Sequence, residues 1–280
     1  MEKFPDIITF RITSRCNNDC KCCFGPKKNT EELSFQKLQE LFNLFSKNGA
    51  KAIVLTGGEP LIRDDFEDIV KELKNQDFKI FLDTGGDLFF KYPDVITESI
   101  DVLGLPIDFP NDSYRNKGNF ENTIKILNFF KDKPKRPIIR IGTVVTKDNI
   151  KKLEEIGNLI KNYPVDIWKI YEFIPQNNAV KNMPFLEVSS KQFDEAIKNI
   201  EDKFSKYFKI VISRRKGRTN AYFFVASDGN VFMPVDDFKI CREVSIGSIF
   251  DKDITEKWRK FVSESNYVDN AKSTFNYKFS

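Results

Sequence analysis

From Ile7 to Thr13, apolar Ile8, Phe10 and Ile12 alternate with Thr9, Arg11 and Thr13, the two-residue period of a strand. The period then lengthens. Ser34 is placed to cap a helix carrying Phe35, Leu38, Leu41, Phe42 and Phe45 on one face, with Gly49 as its stop. Ala52-Ile53-Val54-Leu55 reads as a short buried strand running into Gly57-Gly58, and Phe66, Ile69, Val70 and Leu73 mark the next helix. The alternation continues with a strand from Lys79 to Asp83, a turn at Thr84-Gly85-Gly86 and a strand from Asp101 to Leu105. A helix with Phe120, Ile124 and Leu127, a strand from Ile138 to Val145, a helix with Ile150, Leu153, Ile156 and Ile160, and a strand from Ile167 to Phe173 follow. Strands alternating with helices predict an α/β fold, its strands parallel and joined by right-handed crossovers.

After Pro175 the pattern changes. Phe193, Ile197, Ile200 and Phe204 mark one more helix, and Lys209 to Ser213 a strand. A hairpin follows, with Ala221 to Val225 and Val231 to Met233 flanking Asp228-Gly229. The expected organisation is a core over residues 1–180 and a small α+β extension over 181–280 that closes or caps it. Beyond Phe261 the tail is polar, suited to a lid or a disordered end.

Composition narrows the function classes. The 280 residues suffice for a sizeable core, and 31% are charged with both signs mixed, giving a net charge of +4. That balance does not predict nucleic-acid binding. No run of apolar residues is long enough to span a membrane, and Met1 to Pro5 leads straight into a strand without a signal-peptide core, so a cytoplasmic protein is expected.

The chemistry concentrates after the first strand, where Cys16, Cys20 and Cys23 stand in a C-x3-C-x2-C spacing. Three thiolates from one short loop can hold three irons of a [4Fe–4S] cluster and leave the fourth open to an exogenous ligand. A zinc knuckle or disulfide cluster is the alternative, but the chain has no histidine and no second cysteine pair. Cys22 reads as a small apolar filler outside the cluster and Cys241 as a buried thiol.

The cysteine spacing, followed by Thr56-Gly57-Gly58-Glu59-Pro60, resembles the radical S-adenosylmethionine (radical SAM) superfamily. The resemblance implies a partial (βα)6 barrel with ligands at the C-terminal strand ends and with the [4Fe–4S] cluster and SAM as cofactors. It implies that Gly57, Gly58, Glu59 and Pro60 cradle the methionine end of SAM, Glu59 meeting the ammonium or the loop backbone. Cys22 and Phe24 on the cluster loop, Thr84, Asp108 and Arg115 complete the implied cofactor set. Thr84-Gly85-Gly86 stands at the family's T-N-G position with Gly85 in place of Asn. Segments around Gly229 to Pro234 and Ile246 to Trp258 faintly resemble regions that bind auxiliary clusters, but Val235 stands where the first cysteine is expected, so none is predicted here.

A longer, thinner similarity links Cys16 to Lys28, Asp101-Val102-Leu103, Arg140 with Asn149, and Trp168 to Tyr171 to the viperin family, which dehydrates nucleoside triphosphates. Pro106 and Gly142 depart from it, standing where a serine and an asparagine are expected. Strand parity adds a second indication. With Ile139, Ile141 and Val145 turned to the helices, Arg140, Gly142 and Val144 face the lumen, and Lys169 and Tyr171 join them from the next strand. Either a buried partner such as Glu172 or Asp108 neutralises these cations, or Arg140 and Lys169, with Lys28, grip a substrate phosphate chain or carboxylate. The expected substrate is a small molecule such as a nucleoside triphosphate; a peptide- or cofactor-maturing enzyme and a non-catalytic iron–sulfur protein are the alternatives. A ferredoxin or flavodoxin is the expected electron donor.

Overall fold

The computed structural model describes residues 3–25, 31–111, 118–237 and 239–275, the last five without side chains. The strands are β1 (Ile7–Thr13), β2 (Ala52–Gly57), β3 (Lys79–Asp83), β4 (Val102–Pro106), β5 (Ile138–Val145), β6 (Ile167–Glu172), β7 (Lys209–Ser213), β8 (Phe224–Val225), β9 (Asn230–Asp237) and β10 (Ile240–Ser248). The helices are α1 (Phe35–Lys47), α2 (Phe66–Asn75), α3 (Pro93–Ser99), α4 (Asn119–Phe130), α5 (Leu153–Ile160), α6 (Met183–Leu186), α7 (Ser190–Phe204), α8 (Ile254–Phe261) and α9 (Glu264–Phe275).

All the strands join one sheet in the order β10-β9-β8-β1-β2-β3-β4-β5-β6-β7. From β1 to β7 neighbours are parallel, and β8 also lies parallel to β1 through Thr9–Phe224 and Phe10–Val225. The sheet is concave, because alternate residues of β1 to β6 converge on a single cavity. Its other face is the main core: Ile8, Phe10, Ile53, Leu55, Ile80, Leu82, Ile139, Ile141, Trp168 and Ile170 pack against the helices. On the concave face Ala52, Phe81, Val102, Ile167 and Val211 form an apolar floor. Polar side chains follow toward the C-terminal strand ends, so the floor is dry and the mouth is chemically equipped.

The sequence expectations hold for the α/β partial barrel and the strand parity. The C-terminal region differs in three ways. Lys209–Ser213 extends the parallel sheet beside β6. Ile240–Ser248, not expected as a strand, pairs antiparallel with β9. The tail is neither disordered nor loose through Phe275: it forms α9, whose Tyr267 hydroxyl accepts the Asp6 amide at 2.8 Å and whose ring packs edge-on against Trp258.

Candidate functional site

The cavity at the C-terminal strand ends measures about 350 Å³, and Cys16, Cys20, Cys22 and Cys23 all line it. The loop that carries them is pinned from two sides. On one side Asn18 Nδ2 donates to Asp87 at 2.7 Å, and Asn122 from α4 donates to the same carboxylate at 3.0 Å. On the other side the segment after β6 supplies amides to loop carbonyls: Asn177 to Phe24 at 2.7 Å, Asn182 to Lys21 at 2.9 Å and Asn178 to Gly25 at 3.3 Å. Glu243 of β10 braces this strap by accepting from Gln176 and Asn177, each at 2.9 Å. The same carboxylate lies 2.6 Å from Arg11 Nη2, an ion pair outside hydrogen-bond alignment. The Arg11 guanidinium is buried among Phe24, Phe224 and Phe232, 4.3 Å from the last ring centre.

With carbonyls of Lys21, Phe24 and Gly25 tied to the strap, the loop lines the cavity with its four cysteines, and no cysteine is in a disulfide. Cys16 is pushed above the ordinary thiol value, chiefly by desolvation, with the Asn18 amide opposing and the negative charges of Glu59, then Cys23 and Cys20, adding to it. Mutual repulsion of that kind is what a positive iron centre relieves. No three Cys, Asp or Glu side chains among the described residues surround a point where one metal ion could sit. Cluster thiolates bind separate irons and need no such common point. The donor set therefore suits a cluster held by three thiolates. Cys22 is buried against Phe173, Ala179 and Leu186, with its sulfur 3.9 Å from Asp108, and Cys241 is a buried thiol pushed up to about 12 by desolvation.

The Gly57-Gly58 turn packs on the start of the cysteine loop. Gly58 N–H donates to Thr13 O and Glu59 N–H to Arg15 O, both at 2.8 Å. A Cβ at either glycine would overlap the Thr13 or Arg15 carbonyl. The space that glycine leaves is filled by the chain itself, so a bulky residue there would displace the start of the cysteine loop. Glu59 is buried, not a solvated turn carboxylate. It accepts from Leu61 N at 3.1 Å, Thr84 Oγ1 at 2.7 Å and Gly85 N at 2.7 Å. Desolvation raises its carboxyl above the usual range against those three hydrogen bonds. Gly85, standing where the resemblance expects Asn, faces Asn18 and Glu59, and Asn119 donates to its carbonyl at 2.6 Å.

Other expected positions are distributed differently. Pro60 is buried at the start of a short 3-10 turn and does not line the cavity. Asp108 is also outside the lining, its carboxylate accepting the Val144 amide at 2.7 Å. Phe24 lines the cavity while 43% exposed. Lys28 and Arg115 lie outside the described residues.

Arg140, Lys169 and Tyr171 line the same cavity as the cysteines. Arg140 is ion-paired with Asp83, not with Glu172 or Asp108. The pair reaches across β4 because Gly104 lies between: a Cβ there would overlap both side chains. Glu172 instead binds Ser190 and the Arg215 amide, at 2.9 and 2.8 Å. Lys169 has no ion-pair partner among the described residues; its ammonium is pushed down to about 7, chiefly by burial, then by Arg140 and Arg218, with Asp83 opposing. Arg218, Tyr222, Phe224, Tyr267 and Asn270 from the C-terminal region complete the wall. No local sequence pattern marks them, and Arg214-Arg215-Lys216-Gly217-Arg218 has the composition of a solvated basic turn.

Residues 10–160 match the family described as the Radical SAM superfamily. The chain is 26% identical over 202 residues to an AdoMet-dependent heme synthase of Oleidesulfovibrio alaskensis, covering 68% of this chain and 51% of that one. The chain thus spans about half the length of that relative. It is 28% identical over 204 residues to an S-adenosylmethionine-dependent nucleotide dehydratase of Selenomonas ruminantium, covering 67% and 73%. Streptococcus suis SuiB bound to S-adenosylmethionine has a similar fold, with a TM-score of 0.72 at 14% identity over 96% of this chain and 68% of that one.

Proposed function

Since the chain belongs to the radical SAM superfamily, whose enzymes use a [4Fe–4S] cluster and SAM, we propose that it abstracts hydrogen from an anionic small molecule, a nucleotide. A [4Fe–4S] cluster and SAM held there would supply the one-electron chemistry that turns SAM into a source of a hydrogen-abstracting 5′-deoxyadenosyl radical. In this proposal Cys16, Cys20 and Cys23 ligate three irons. Gly57 to Glu59 and Thr84 shape the methionine end of the SAM site, with Glu59 acting through the backbone it fixes. Asn177, Asn178 and Asn182 hold the cluster loop at a set distance from the opposite wall. The apolar floor and the C-terminal residues that wall the cavity keep water from the radical.

The observation that carries the proposal is one cavity lined by both the cysteines and the Arg140–Lys169 side of the barrel. The similarity to a nucleotide dehydratase supports a nucleotide over other anions. The similarity to a heme synthase favours a second assignment, maturation of a larger cofactor or peptide. A ferredoxin or flavodoxin supplies the electron in either case. No described helix is long and apolar enough to cross a membrane, and an oxygen-sensitive cluster beside free thiols suits the cytoplasm. Residues 181–280 serve in this proposal as the cap of the cavity.

The test is anaerobic incubation of reconstituted, reduced protein with SAM and candidate nucleotides, tetrapyrroles and peptides. Release of 5′-deoxyadenosine should rise only with a nucleotide; a rise confined to tetrapyrroles or peptides transfers the assignment to them.

A further inference from the structure

Where Arg140 is neutralised by Asp83, two other cations of the cavity are not. Lys169 projects from β6 to 5.1 Å from the Tyr171 ring centre, and the Arg218 guanidinium stands 5.3 Å from the same centre. Neither has a carboxylate at ion-pair distance among the described residues. Arg218 is fixed by its Nη2, which donates to the Glu172 carbonyl, while its buried Nε has no hydrogen-bond partner among the described residues. Burying an unmatched guanidinium beside an ammonium costs free energy that the fold alone does not return. Both line the cavity that the cysteines enter.

We propose that Lys169 and Arg218, grouped about Tyr171, form a phosphoryl-binding site that anchors the substrate by its anionic end. Two cations beyond the Arg140–Asp83 pair match a dianion, which favours a phosphoryl group over a carboxylate. Arg218 offers its Nε edge as a donor and Lys169 a compact charge, the combination that grips phosphate oxygens. Tyr171 occupies the space beside Gly142, where a Cβ would stand 3.2 Å from its ring, so its ring is held where both cations approach it. Arg218 reaches the site from the region beyond β7, making that region part of substrate recognition and not only a cover. The proposal rests on the nucleotide assignment for its substrate, while the site itself is testable without one.

The probe is inorganic tripolyphosphate, titrated anaerobically into the reconstituted, SAM-loaded protein. Wild type should bind it, Arg218→Ala and Lys169→Ala should each weaken binding about tenfold to a hundredfold, as expected for a lost charge-assisted hydrogen bond. Arg218→Lys, which keeps the charge, should recover part of the loss and shows that misfolding is not its cause; iron content and thermal midpoint are measured for each variant. Equal binding by wild type and both alanine variants, or no binding by wild type, overturns the site. If nucleotides nonetheless provoke 5′-deoxyadenosine release, the nucleotide assignment stands without it. If tripolyphosphate binds through these residues while no nucleotide provokes release, the site stands and the nucleotide assignment falls.

Discussion

The Glu59 amide donates to the Arg15 carbonyl at 2.8 Å, so the Gly57-Gly58-Glu59 turn and the first residue of the cysteine loop share a hydrogen bond. The two motifs, far apart in sequence, are one backbone unit. The turn also forms part of a buried chain through the Glu59 carboxylate to Thr84 and Gly85 on the next loop.

That unit makes glycine replacement a cluster defect. Gly58→Ala places a Cβ on the Arg15 carbonyl, forcing a backbone shift that costs about 1–3 kcal/mol. Iron content after anaerobic reconstitution and SAM affinity should fall together. A variant with full iron that fails only to bind SAM would contradict the shared-unit geometry.

Alanine at Cys16, Cys20 or Cys23 should reduce iron from about four per chain to near none. Cys22→Ala and Cys241→Ala should retain it, because both sulfurs are buried in packing. Iron retained in Cys20→Ala, or zinc in the purified protein, would remove the cluster assignment.

Asn177 sits at φ +48°, a conformation Gly and Asn tolerate, and its amide bridges Phe24 O and Glu243. Asn177→Gly keeps the backbone free of strain and deletes only the bridge. The thermal midpoint should shift by the equivalent of about 1–2 kcal/mol, while the electron paramagnetic resonance spectrum of the reduced cluster changes line shape. An unchanged spectrum would mean that the strap does not shape the cluster environment.

Lys169 links the cavity to pH. Its ammonium titrates at about 7, with Arg140, Arg218, Asp83 and Tyr171 facing it. An unfolded lysine titrates at about 10.4. Between these values the unfolded chain binds more protons, so this group's contribution to stability rises with pH across that window and is least favourable below it. Lys169→Met should therefore exceed wild type in thermal midpoint by the widest margin near and below pH 7, narrowing toward pH 10. A margin independent of pH would show that the ammonium is not buried in the folded protein.

Much of this architecture is legible in the sequence because parallel strands carry a strict two-residue period. The inward positions of Arg140, Lys169 and Tyr171 follow from Ile139, Ile141, Trp168 and Ile170 alone. Other parts depend on packing that no local pattern shows. α3 buries only Ile96 and so lacks a helical stripe. β10 mixes exposed and half-buried positions with two buried ones, Cys241 and Ile246. Asp83 became the partner of Arg140 through the missing side chain of Gly104, two strands brought into reach by an absence. Arg218 reads as a surface residue until the sheet brings its turn beside β6.

The sheet order also sets when the site can exist. β1 is not an edge: it lies between β2 and β8, and its Arg11 reaches Glu243 on β10. The strand that delivers the cysteines thus waits for partners encoded near the other end of the chain. Such long-range pairing carries a high contact order and slows folding. Until β8 to β10 dock, the strap lacks its Glu243 brace and Arg11 lacks two of the rings that enclose it, so the two ends of the chain must meet before the cysteine loop is fully supported.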